Sequence, residues 1–318
     1  MKLVLSATEG EAYYSLLDNL PIPDLQIVRT TTPEATLMEV ADADVLYGFP
    51  SAEIVKVAPR LRWIQASSAG VEFVARIPEL VESDILLTNT RGAHGPSIGE
   101  HVFALLLALT RRIPQCLEWQ RQRHWGRKEG YRTSHEIRGS STGILGFGAI
   151  GRGIAQRATA FELDLLAVDA QAVDGRPYLD EVWPPSHLPE LLARSDILVI
   201  AAPLTAETYH LIDAKALAMM KPDAYLIVVS RGGIVDEAAL AAALHAGRLA
   251  GAAVDVTETE PLPPDSPLWD APNLIITPHL AGDSGPKERR CVEILRDNLL
   301  RFANGEPLLN VVDKRLGY

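Results

Sequence analysis

The feature that most constrains this chain is Ser141-Thr142-Gly143-Ile144-Leu145-Gly146-Phe147-Gly148-Ala149-Ile150-Gly151, an apolar run entering three glycines spaced G-x-G-x-x-G. Ile150, Ile154, Ala155, Ala158 and Phe161 then recur at the period of an amphipathic helix. The pattern predicts strand, tight turn and helix. Gly146 permits the turn, Gly148 lets backbone approach a pyrophosphate, and Gly151 lets the helix sit close on the strand. The phosphates would lie at the helix start, beside Ala149 and Ile150, where unpaired N–H groups and the dipole favour an anion. A second apolar run, Leu165 to Val168, ends in Asp169, where a dinucleotide fold needs a carboxylate for the ribose hydroxyls. Ala170 and Gln171 follow it, so a 2′-phosphate meets repulsion with no adjacent cation. The expected cofactor is NAD rather than NADP, with Arg176 the one nearby residue able to fold back toward such a phosphate.

At 318 residues the chain exceeds the usual size of one domain, which predicts two. A net charge of −11 argues against nucleic acid or anionic lipid as a partner, since both reward a basic surface. Cys116 and Cys291 lack metal-ligand spacing and read as reduced thiols of a cytoplasmic protein, with no metal site expected. The N-terminal run Met1 to Ser6 meets Glu9 and Glu11 and reads as a first strand, not a signal peptide. The longest apolar segment, Val102 to Leu109, falls short of the ~20 residues that span a bilayer.

Short apolar runs alternate with helical patterns over the first part of the chain. Leu3 to Leu5, Gln26 to Arg29, Val45 to Tyr47, Trp63 to Ala66 and Ile85 to Leu87 read as strands of a parallel sheet. Ser67-Ser68-Ala69-Gly70-Val71 follows the fourth, at the end where open α/β sheets bind ligands; a plain connecting turn fits the spacing equally. Ser97 with Glu100 reads as a capping box opening a linker helix that runs to Arg112. The polar stretch Trp119 to Glu136 reads either as an arm across a partner subunit or as a solvated loop. Beyond the glycine motif, Ile197 to Ala202, Tyr225 to Val229, Gly251 to Val256 and Leu274 to Ile276 are further strands, with helices at Ala214 to Met220 and Glu237 to Ala246. Ala201-Ala202-Pro203-Leu204 is an apolar wall for a flat ring on the adenosine side. A helix follows Pro286, and the run Leu308 to Val312 is left without a placement by periodicity.

Three strand ends carry ionisable residues where a nicotinamide would lie: Ser230-Arg231-Gly232-Gly233, Glu258-Thr259-Glu260-Pro261 and Thr277-Pro278-His279. Arg231 can pair with a substrate carboxylate and polarise the adjacent carbonyl. His279, protonated, can give a proton to the carbonyl oxygen as hydride reaches carbon. Glu260 on the other ring nitrogen would favour the protonated ring. Spacing leaves plainer roles open: a helix-end partner for Arg231, a turn acid in Glu260, a capping or filling His279.

From Thr142 to Gly282 the sequence resembles the D-isomer-specific 2-hydroxyacid dehydrogenases, among them glyoxylate/hydroxypyruvate reductases and phosphoglycerate dehydrogenase. The shared pieces are Gly143 to Gly151, Leu204-Thr-Ala-Glu-Thr208, Met220-Lys-Pro222, Ser230 to Glu237, Gly251 to Val256, Glu258 to Pro261 and Thr277 to Gly282. Ser68-Ala-Gly-Val71, Gly99-Glu-His101 and Trp125-Gly-Arg127 extend the likeness over nearly the whole chain. The resemblance implies a catalytic set of Arg231, Glu260 and His279, with Asp255 on the nicotinamide carboxamide and backbone of Ala69 and Gly70 on the substrate carboxylate. Gly146, Gly148, Ala149, Ile150, Gly151, Asp169, Pro203, Thr208 and Asp255 form the expected cofactor set. The implied fold class is α/β, two doubly wound parallel-sheet domains, with a Rossmann NAD-binding domain (99–285) inserted in a flavodoxin-like substrate domain (1–98 and 286–318). A homodimer through the nucleotide domain is implied as well.

Three positions depart from the family pattern. Val228 stands in place of an asparagine, Ala149 of an arginine and Asp283-Ser284 of a threonine. None removes a catalytic group. The expected activity is NAD-dependent interconversion of a small 2-oxo acid and its D-2-hydroxy acid, with Tyr47, Arg91 and His94 as candidates to line the pocket. The alternatives are phosphoglycerate dehydrogenase activity, or a non-catalytic NAD(H)-sensing interaction protein; the end of the chain at Tyr318, soon after the last helix, and the retained triad argue against the second.

Overall fold

The computed structural model describes residues 1–7 and 10–315. Glu9 and Tyr318, which entered the reading above, lie outside them. The chain divides into two compact units, Met1–His94 with the segment from Asp283 onward, and Gly95–Gly282.

In the first unit, β1 (Lys2–Leu5), β2 (Gln26–Arg29), β3 (Val45–Tyr47), β4 (Trp63–Gln65) and β5 (Leu86–Thr88) form an all-parallel sheet ordered β2-β1-β3-β4-β5. The order reverses between β1 and β3, which makes their C-terminal ends the switch point of a doubly wound fold. Helices α1 (Pro33–Val40), α2 (Ala52–Val57) and α3 (Pro78–Glu82) connect strands, the first two capped by Thr32 and Ser51 side chains. Alternation splits the strands between two cores: Val4, Leu46 and Ile64 pack on one face, and Leu3, Leu5, Val45, Tyr47 and Trp63 on the other. The long helix Gly285–Asn304, capped by Ser284, adds Val292, Leu295 and Leu299 to the second core.

The segment that periodicity left unplaced returns to this sheet. Val312 N–H donates to the Leu87 carbonyl at 2.9 Å, and Val311 bridges Thr88 antiparallel. Buried Asn298 secures the return: its amide donates to Gln65 Oε1 at 2.9 Å, and its carbonyl accepts from Leu309 N–H at 2.7 Å. Thr88 and Trp63 complete that buried chain of hydrogen bonds. Each member is satisfied, so the network specifies the register without leaving an orphaned dipole.

His94 ends the first segment of this unit with a half-buried ring whose Nδ1 is itself buried and has no partner among the described residues. Burial, reinforced by the Lys287 charge, pushes its pKa down to about 4. A base depressed in the folded state takes up its proton more readily unfolded, so stability is full above the ordinary value near 6.5 and drains away as pH falls toward 4. The loss amounts to about 3 kcal/mol. Urea denaturation at pH 7 and pH 4.5 should show a shallower acid loss in His94→Asn than in the parent; equal losses would remove His94 as the source.

In the second unit, β6 (Ser141–Leu145), β7 (Asp164–Val168), β8 (Ile197–Ile200), β9 (Tyr225–Val228), β10 (Gly251–Val254) and β11 (Leu274–Ile276) form a parallel sheet ordered β11-β10-β9-β8-β6-β7. Its switch point lies between β6 and β8. The inner strands read as unbroken apolar runs because both faces are covered: Leu198, Ile200, Leu226 and Val228 enter one core, Ile197, Val199, Tyr225 and Ile227 the other. Several strands stop one or two residues short of the apolar run that announces them, β8 at Ile200 and β10 at Val254 among them, because the last residues turn out into loops.

The helices are α4 (Gly95–Thr110), α5 (Ile113–Arg121), α6 (Arg127–Thr133), α7 (Ala149–Ala160), α8 (Leu188–Arg194), α9 (Ala214–Met219) and α10 (Glu237–His245). Two expectations are corrected here. Helix α4 begins at Gly95, so Ser97 and Glu100 lie inside it and form no capping box; Glu100 instead pairs with Arg157 of α7 at 3.0 Å. The first turns pack closely on α7: a Cβ at Gly95 would stand 2.9 Å from the Ala149 carbonyl oxygen, and one at Gly99 2.8 Å from that of Gly153. The polar stretch is not a plain loop: it carries α6 and the end of α5, and Trp119 fills the space over Gly126 and Gly130. Its polar composition concealed the helices because α5 buries none of its residues. Among the described residues, no helix is long and apolar enough to cross a membrane.

Candidate active site

The turn after β6 carries the glycine motif. Gly146 has φ +95°, and a Cβ there would stand 2.5 Å from the Ala202 nitrogen, so the turn demands glycine. At Gly151 a Cβ would meet the Gly146 carbonyl oxygen at 2.3 Å, whereas at Gly148 it meets nothing within 4 Å. The outer face of the turn is therefore open. Helix α7 starts there with no side-chain cap and no acidic residue in its first turn, leaving Ala149 and Ile150 among the donors of an uncapped, positive helix end. Asp169 closes the other side of the turn, accepting from Phe147 N–H at 2.6 Å and Gln171 N–H at 2.8 Å. Each of its oxygens keeps a second lone pair for a diol. Thr208 accepts from Thr205 N–H at 2.7 Å and donates to the Pro203 carbonyl at 2.8 Å, so its hydroxyl shapes the loop after β8. At the end of β9, the Ser230 hydroxyl is buried with no partner among the described residues. An open anion-favouring turn, an anchored acid and an orphaned hydroxyl fit a dinucleotide.

Arg231, Glu260 and His279 leave the neighbouring strands β9, β10 and β11 at the same end of the sheet. His279 Nδ1 and Glu260 Oε2 are 2.8 Å apart, and Glu260 Oε1 accepts from Thr257 N–H at 3.1 Å. A carboxylate only accepts, so Nδ1 carries a proton and the chemistry of the ring rests on Nε2. His279 sits at φ +54°, its N–H donating to the Asp255 carbonyl at 2.8 Å. The side chains of His279 and Glu260 are 49% and 39% exposed, so the pair is open to an incoming substrate. Arg231 Nη1 donates to the Ser230 carbonyl at 2.7 Å. The next residue, Gly232, brings the arginine loop against the glutamate loop: a Cβ there would lie 2.0 Å from the Thr257 carbonyl.

Asp255 is buried, and its carboxylate is already engaged: it accepts from Thr277 Oγ1 at 2.6 Å and from Leu280 and Ala281 N–H at 2.9 Å each. His101 of α4 approaches the same group, Nε2 lying 3.0 Å from Thr277 Oγ1 and 3.4 Å from Asp255 Oδ1. Burial pushes Asp255 up, but the hydrogen bonds from His101, Thr277 and the two backbone groups outweigh it and hold it below the usual carboxylate range. Asp255 thus organises the turn that presents His279. A further cluster secures the glutamate loop. Tyr209 OH donates to Glu258 Oε1 at 2.7 Å, His210 Nε2 lies 3.1 Å from Glu258 Oε2, and Glu258 N–H donates to Glu237 at 2.6 Å. None of His101, Thr277, Tyr209, His210 and Glu237 was assigned a role on sequence grounds, because their partners lie 21 to 176 residues away where a prior element gives no local signal.

In the first unit, Ala69 and Gly70 follow β4. Both carbonyls are occupied, Ala69 by the Asn89 amide at 2.8 Å and Gly70 by the Ser68 hydroxyl at 2.7 Å, which orients the loop. Of the proposed pocket residues, Tyr47 is corrected: it is 1% exposed in the core, edge-on to Tyr14. Arg91 is exposed, and His94 is the half-buried ring described above.

Hydride carried by a dinucleotide and a proton carried by a carboxylate-held imidazole are the working parts of NAD-binding oxidoreductases. Residues 103–281 match the family described as D-isomer specific 2-hydroxyacid dehydrogenase, NAD binding domain. A glyoxylate reductase of Thermofilum pendens is 36% identical over 292 residues, 89% of this chain and 85% of that protein. A D-isomer specific 2-hydroxyacid dehydrogenase family protein from Aeromonas salmonicida superposes with a TM-score of 0.84 at 35% identity, covering 98% of this chain and 99% of the other. An NADPH-dependent glyoxylate/hydroxypyruvate reductase from Sinorhizobium meliloti, solved with NADP and sulfate, gives 0.84 at 25% identity, over 100% and 99%. The chain belongs to the D-isomer specific 2-hydroxyacid dehydrogenase family and is an oxidoreductase of small 2-oxo and 2-hydroxy acids with an NAD-binding domain.

Proposed function

We propose that the protein reduces a small 2-oxo acid to the D-2-hydroxy acid with NADH, and runs the reverse reaction with NAD. The observation that carries this reading is the 2.8 Å bond between His279 Nδ1 and Glu260. When bound, the cofactor supplies or accepts the hydride at the carbonyl carbon. His279 Nε2 delivers the proton to the carbonyl oxygen, and Glu260 stabilises the ring in its charged form. Arg231 pairs with the substrate carboxylate through its planar fork and polarises the carbonyl. The N–H groups of Ala69 and Gly70 receive the same carboxylate; the engagement of both carbonyls supports this, because it leaves donors rather than acceptors for an anion. Gly146, Gly148, Ala149, Ile150 and Gly151 cradle the pyrophosphate, Asp169 holds the ribose, Pro203 and Thr208 flank the adenosine, and Asp255 orders the nicotinamide end. In this reading 99–285 bind the cofactor and 1–98 with 286–318 the substrate, in a cytoplasmic homodimer. Exposure of Trp125 (88%) and Tyr131 (85%) beside α6 supports self-association.

NAD is assigned over NADP on two grounds. Asp169 would repel a 2′-phosphate, and Arg176 is clamped by Asp174 through contacts of 3.0 and 3.1 Å. Initial rates with NADH should exceed those with NADPH by on the order of 10²-fold, and Asp169→Ala should narrow the gap. A preference for NADPH would overturn the assignment. NADH binding with no turnover of any oxo acid would turn the reading to a sensing protein.

A further inference from the structure

Resting on the dehydrogenase reading, we infer that the substrate carries an apolar side chain, aryl or branched alkyl, received by Phe49 and Phe73 of the first unit. Phe49 is the second residue after β3, at the switch point where ligands gather in a doubly wound sheet. It is 53% exposed although its neighbours Gly48 and Pro50 are buried. Its loop is fixed rather than loose: Gly48 N–H donates to the Gln65 carbonyl at 3.0 Å, tying the end of β3 to the end of β4. From β4 the chain passes directly into Ala69 and Gly70, the loop assigned to the substrate carboxylate, and then to Phe73. The two rings meet edge to face, centroids 5.6 Å apart and planes at 73°. An apolar wall thus stands on the stretch that carries the carboxylate donors and on the loop after β3 that is tied to it.

Charge points the same way. Neither loop, Gly48 to Ser51 nor Ser67 to Phe73, contains a lysine, arginine or histidine. A distal phosphate or second carboxylate would find no cation there, and a hydroxymethyl group would leave both rings unfilled. The nearest alternative is exposed Arg91 after β5, which would favour a phosphorylated acid.

The test is kcat/KM with NADH for glyoxylate, hydroxypyruvate, 3-phosphohydroxypyruvate, 2-oxoisocaproate and phenylpyruvate. One or both apolar acids should exceed glyoxylate by at least about tenfold, the scale on which an apolar pocket discriminates. Phe49→Ala should lower the preferred apolar acid about tenfold and glyoxylate less than about twofold. Phe49→Leu, which keeps the apolar surface, should retain 2-oxoisocaproate better than phenylpyruvate. It carries the test if the alanine variant does not fold. Preference for glyoxylate, hydroxypyruvate or the phosphorylated acid, or an equal loss across all acids, overturns this inference and leaves the dehydrogenase intact. Turnover of no acid overturns both.

Discussion

Replacing His279 by alanine is expected to lower kcat by about 10² to 10⁴-fold, the usual worth of a positioned general acid, while the dissociation constant for NADH stays within about twofold. The separation follows from where the ring sits. It is held to Glu260 at 2.8 Å on the loop after β11, whereas the glycine turn follows β6, with three strands between them in the same sheet. The backbone introduces a second effect, since His279 is at φ +54°, a region alanine adopts at a cost of about 1 to 2 kcal/mol. Asparagine tolerates that region, so His279→Asn is the cleaner variant. If His279→Asn matches His279→Ala in kcat with an unchanged melting temperature, the lost group is the imidazole. Turnover near the parent level in either variant would remove His279 from the chemistry. Glu260→Gln should cost less, because the amide oxygen can still accept from Nδ1–H but no longer offsets a charged ring.

Much of the fold could be read from the chain because its two strongest signals are local. Apolar runs covered on both faces announce parallel strands without any knowledge of their partners, and the glycine spacing marks the switch point between β6 and β8. The placement of Arg231, Glu260 and His279 at one end of the sheet was legible for a related reason: each lies on the loop that follows one of the neighbouring strands β9, β10 and β11. What escaped depends on distance in sequence. The Asp255, Thr277 and His101 cluster joins a helix to loops more than 150 residues later, and the capping box failed because Glu100 found Arg157 on a helix packed too closely for local rules to foresee. Tyr47 failed as a pocket residue since a residue inside a parallel strand is buried whichever face it takes, while Phe49, two residues on, is the one exposed.

Arg231→Ala should lower kcat/KM for a 2-oxo acid by about 10² to 10⁴-fold, the loss of two charge-assisted hydrogen bonds at about 1.5 to 3 kcal/mol each. The loop is built for rigidity. Gly232 lies against the Thr257 backbone, and Arg231 Nη1 is already braced on the Ser230 carbonyl at 2.7 Å. A guanidinium so held meets a carboxylate with its fork preorganised, so the loss should appear in KM and kcat together: KM for carboxylate capture, kcat for polarisation of the carbonyl. Arg231→Lys separates charge from geometry. Lysine keeps the positive charge but offers a point donor rather than a planar fork, and should recover only a small part of the activity. Added guanidinium should partly restore turnover in Arg231→Ala and leave the lysine variant unchanged. An unchanged KM in Arg231→Ala would place the substrate carboxylate elsewhere, with the Ala69 and Gly70 loop as its sole anchor.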